Sequence, residues 1–116
     1  MNLQNKVCIL VMKSDVLLKR AVVSLLGLED ELEIVVSEAV DISELDRDIS
    51  KINPNVVLLS ESEPMAAQES LTQLIVRHPG LKIVLASTYS NWLHIFSKED
   101  VLLTRLDDLL TVIKAV

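Results

Sequence analysis

Three strand-length stretches of this chain each hold an unbroken apolar run of four or five residues: "KVCILV" (6–11), "NVVLLS" (55–60) and "LKIVLAS" (81–87). A strand with one wet face alternates apolar and polar residues. A strand apolar at every position must be covered on both sides, and that is the signature of a parallel sheet sandwiched between helices. The stretches between these runs supply the helices. After "KVCILV", Asp15 can cap a helix in which Leu18, Val22 and Leu25 recur at helical spacing, and Gly27 offers a stop. "LEIVVSEA" (32–39) reads as a second strand. Asp41 and Glu44 then form a capping-box pattern ahead of Ile42, Leu45, Ile49 and Ile52, one helical face closed by Pro54.

Pro64 suits a helix first turn, and Leu71, Leu74 and Ile75 give that helix its buried stripe. Pro79-Gly80 is a turn before the fourth strand. A short helix is expected around 90–96, a fifth strand at "VLLT" (101–104), and a last helix in "LDDLLTVIKAV" (106–116). The alternation predicts one domain over 1–116: a doubly wound α/β fold, (βα)5, with a five-stranded parallel sheet and right-handed crossovers. Sites in such sheets lie beyond the carboxyl ends of the strands.

Half of the residues are hydrophobic, enough to bury a core, and no apolar run approaches a membrane span. No signal-peptide layout opens the chain, so a cytoplasmic location is expected. The net charge of −6 opposes a phosphate-binding surface, so this domain is not expected to hold nucleic acid. Cys8, alone and within an apolar run, reads as a buried structural thiol. No glycine-rich phosphate loop and no metal-binding spacing occurs. His78 and His94 have no nucleophile to serve and read as surface or rim residues.

The order of these landmarks resembles the receiver domain of bacterial two-component response regulators, a flavodoxin-like fold. "KVCILV" with "DVLLKRAVVSLL", "INPNVVLLSESEP", "HPGLKIVLAST" and "LDDLLTVIKAV" are similar to the strands and helices of the subfamily that carries a LuxR-type helix-turn-helix output. A receiver places two acids after its first strand for Mg²⁺ and a phosphoacceptor aspartate at the end of its third. It has a Ser or Thr after the fourth strand and a Lys after the fifth. On this chain those positions fall on Lys13 and Ser14, on Ser60, on Ser87, and on Thr104 or, with another gap, Arg105.

Only the hydroxyl at Ser87 keeps the pattern. A cation and a neutral hydroxyl replace the metal-binding acids, and Ser60 has no evident base to activate it. The resemblance therefore implies a degenerate pseudo-receiver that binds no Mg²⁺ and uses no cofactor. It is not expected to be an enzyme. It would signal by contact with a protein partner or as a homodimer, regulating a transcriptional output encoded beyond residue 116 or on another chain. The alternative is a sensor of a small ligand or anion in the vacated pocket. Lys13 would either occupy the place of the metal charge, tying Ser60 or a loop carbonyl, or point into solvent. Asp15, Glu61 and Glu63 are displaced from the expected pocket floor. The interval after Ser87 is short for the family and holds every aromatic residue. Tyr89, Trp92, Leu93 and Phe96 form a helical stripe there, either core or an exposed association surface.

Overall fold

The computed structural model describes residues 7–13, 16–26, 31–62, 66–87, 92–96 and 101–105. Along the chain these form β1 (Val7–Met12), α1 (Val16–Leu26), β2 (Leu32–Ser37), α2 (Ile42–Ile52), β3 (Val56–Ser60), α3 (Gln68–Arg77), β4 (Lys82–Ala86), β5 (Trp92–Phe96) and β6 (Val101–Arg105). One sheet contains all six strands in the order β2-β1-β3-β4-β5-β6. The first four are mutually parallel, as expected.

The uniformly apolar strands are buried on both faces. Leu10, Met12, Val57, Leu59, Ile83 and Leu85 point toward one side, where Leu45 and Ile49 of α2 and Leu71, Leu74 and Ile75 of α3 meet them. Ile9, Val11, Val56, Leu58 and Val84 point to the other side and pack with Val22 of α1. Burying each such side chain fully contributes about 1.5–3 kcal/mol relative to exposure.

Local chemistry sets the helix ends. Asp41 caps α2 by accepting from the Glu44 amide at 2.9 Å. Glu44 reaches back to the Val40 amide, one residue further out than a standard capping box. Asn53 ends α2 in the left-handed region (φ 56°), where asparagine is better tolerated than most side chains. Helix α3 starts at Gln68 behind Ala67, which provides no side-chain cap. Asp15, Gly27, Pro64 and the expected last helix at 106–116 lie outside the described residues.

The expected five-stranded parallel arrangement needs correction after β4. The segment read as a short helix is a strand over Trp92–Phe96, antiparallel to β4, and β6 is antiparallel to β5. Residues 87–100 are all that separate β4 from β6. That is close to the minimum of about a dozen residues for a helical crossover. Two hairpins with a strand between them cover the same step with less chain. "WLHIF" is also rich in aromatic and β-branched residues, which favour a pleated surface. Ile95 is buried in the α1-side core beside Val84.

Candidate functional site: the carboxyl tips of the parallel strands

The chain turns from β1 outward to β2, then returns to place β3 on the other side of β1. This reversal is the topological switch point, and the crevice of such a sheet opens there, beyond the carboxyl ends of β1 and β3. The register runs Ile9↔Val56, Leu10↔Val57, Val11↔Leu58. Two residues further along, the same register sets Lys13 beside Ser60. On the other flank Ser60 pairs with Ala86, so Ser87 follows at the tip of β4. Lys13, Ser60 and Ser87 therefore share one rim, as the sequence predicts. Ser14 lies outside the described residues.

Ser60 is half-buried, and its hydroxyl is engaged locally. Its Oγ lies 2.9 Å from Ser62 Oγ and 3.4 Å from the Ser62 amide nitrogen. This is the pattern by which a serine at a strand end shapes the turn that follows. Lys13 continues the ladder through its amide, which donates to the Ser37 carbonyl at 2.7 Å. Its side chain is exposed and bonds to no described residue, which matches the solvent-facing alternative. Glu61 is exposed past the end of β3, where its amide donates to the Ala86 carbonyl. Glu63 lies outside the described residues. Among the described residues no group of three or more His, Cys, Asp or Glu is placed to hold a metal ion.

Thr104 is not brought to this rim as a neighbour. Successive pairings run Ser60↔Ala86, Ala86↔Leu93 and Leu93↔Thr104. Thr104 thus stands three strand spacings from Ser60, about 14 Å at the usual separation, too far for a threonine to reach. Arg105, paired with Trp92, is on the same displaced strand. The inserted β5 takes the place beside β4 where the resemblance put the fifth strand.

The aromatic stripe is also redrawn. Residues 92–96 form a strand, whose side-chain period is two and not 3.6. The helical spacing that grouped Trp92, Leu93 and Phe96 does not apply, and Tyr89 lies outside the described residues.

Two polar arrangements have no counterpart in the sequence reading. Ser37, buried at the tip of β2, donates to Asp48 Oδ2 at 2.6 Å and accepts from the Ala39 amide at 3.0 Å. At the opposite edge of the sheet, Asp46 binds both Arg77 and His78. His78 is thus half-buried and partnered, where the sequence suggests a surface or rim residue. Linear spacing carries no sign of these pairs: the first forms when α2 packs beside β2, the second when α2 packs beside α3.

Cys8 is half-buried. Burial pushes its thiol up, and Glu33, its partner across β1 and β2, pushes it further. A thiol held protonated is a weaker nucleophile than a thiolate. No helix among the described residues is long and apolar enough to cross a membrane. Compared with protein-family models, with curated proteins and with solved structures, the chain matches none.

Proposed function

We infer that this chain is a receiver-like signalling domain that works by protein–protein contact, without phosphorylation. The observation that supports this reading most is the switch-point rim. The strand tips where the resemblance calls for carboxylates carry Lys13 and Ser60 instead, and the Ser60 hydroxyl is bonded to Ser62. Phosphoryl transfer to a side chain needs a metal to neutralise the transferring oxygens, and a metal needs anionic ligands. A cation beside a neutral hydroxyl offers neither. The surfaces available for signalling are then those that bind another protein or a second copy, with a transcriptional output as the regulated partner.

The test is to incubate the protein with acetyl phosphate and Mg²⁺ and measure the intact mass. The expected result is no phospho-adduct. A stoichiometric adduct mapped to Ser60 or Glu61 would overturn the reading. Sedimentation over a range of concentrations tests the association arm, where self-association or a partner-dependent shift is expected.

A further inference from the structure

At the amino edge of the sheet, opposite the rim described above, the C-terminal ends of α2 and α3 meet the starts of β3 and β4. Between them lies a cleft of about 390 Å³, within the size range of small-molecule sites. The buried side chains Ile49 and Leu81 give it an apolar floor. Asn53, Asn55 and Arg77 supply polar groups around it.

Each of these three side chains keeps donor capacity. Arg77 places Nη2 2.9 Å from Asp46 Oδ2, yet its side chain is 64% exposed. A guanidinium has five N–H groups in a planar fork that matches a carboxylate. Asn55 uses Oδ1 to accept from the Cys8 amide at 2.8 Å, which leaves its Nδ2 to donate. Asn53, fixed at the end of α2, makes no side-chain hydrogen bond with a described residue. The nearby carboxylate does not compete for a ligand's place, because Asp46 has one oxygen on Arg77 and the other on His78 Nε2. Two helix C-termini act against an anion here. They keep the affinity low and make the guanidinium the group on which attraction depends.

We propose that this cleft binds a small organic carboxylate. The carboxylate sits on the Arg77 guanidinium, the Asn53 and Asn55 amides bond its polar atoms, and a short apolar body rests on Ile49 and Leu81. The site does not depend on the receiver reading.

Amide chemical shifts of ¹⁵N-labelled protein, followed during titration into the millimolar range, test it. The probes are benzoate, its neutral analogue benzamide, and inorganic phosphate. Saturable shifts at Asn53, Asn55, Gly80 and Leu81 with benzoate, without saturation by benzamide, are expected. Arg77→Gln should weaken benzoate about tenfold, the worth of a charge-assisted bond. Asn53→Gly places a residue suited to the left-handed region, so the fold holds while the amide is lost. It should weaken benzoate a few-fold. No saturation by benzoate, equal saturation by benzamide, saturation by phosphate alone, or unchanged benzoate affinity in Arg77→Gln would each overturn the proposal. Should Arg77→Gln not fold, unchanged affinity in Asn53→Gly overturns it.

Discussion

Asp46 Oδ1 lies 2.7 Å from His78 Nε2, a bond that ties the middle of α2 to the residue that ends α3 across 32 positions of chain. Both side chains are about four-fifths shielded from water. A partly buried bond to a charged group contributes more than a surface ion pair. Asp46→Ala should therefore cost about 1–2 kcal/mol in a urea melt. A double-mutant cycle with His78→Ala should return a coupling of about 1 kcal/mol. Coupling near zero would mean that the contact is incidental to stability.

Ser60→Asp alone should not confer phosphorylation by acetyl phosphate. The nucleophile would be present at the tip of β3, but Lys13 would still stand beside it where a metal-binding acid is needed. Adding Lys13→Asp and Ser14→Asp restores the acids that the resemblance requires, and the triple variant is the one in which an adduct is expected. Intact mass decides. A full adduct on the single variant would show that the metal-binding acids are dispensable here.

Ile95 is only 3% exposed, and its neighbours include the equally buried Val84. Ile95→Ala should cost about 2–4 kcal/mol, the range for truncating a buried aliphatic residue. Backbone ¹³C shifts for 92–96 should be those of a strand. Helical shifts there, with a loss below about 1 kcal/mol, would contradict the antiparallel hairpin.

Burial first, and Glu33 second, hold the Cys8 thiol above its ordinary range. The group is protonated more firmly in the folded state than in the unfolded one. Its contribution to stability is fully present below the ordinary thiol pKa. It is lost as pH rises through the raised value. Alkylation at neutral pH should be slower in the native protein than in urea, and the native rate should climb at a higher pH. Equal rates in both states would show that the thiol is neither shielded nor shifted.

Ser37→Ala should cost about 1–3 kcal/mol. The hydroxyl is buried, and its loss leaves Asp48 and the Ala39 amide without their partner at the tip of β2. A urea melt measures it.

Much of the architecture was readable because burial leaves a pattern along the chain. Ile9 to Met12 and Val56 to Leu59 are buried without alternation, and Leu45 with Ile49 recur one helical turn apart. From these features the four parallel strands and α1 to α3 follow, as does the position of Ser60 at a strand tip. The stretch from Trp92 to Phe96 was not readable in this way. A short apolar segment fits either period, and its aromatic residues happen to fall at helical intervals.

The periodicity of the apolar residues alone determined the parallel α/β layering, and it placed Ser60 at a strand tip. Tertiary structure alone decided three things: that β5 is a strand pairing with β4, that Thr104 stands three strands from Ser60, and that Asp46 meets His78 and Arg77. The physical reason is range. Burial and capping depend on residues within a few positions of one another. Strand partners and cross-helix bonds join residues distant in sequence, and they are settled only when the remaining edge of the sheet and the ends of two helices compete for the same space.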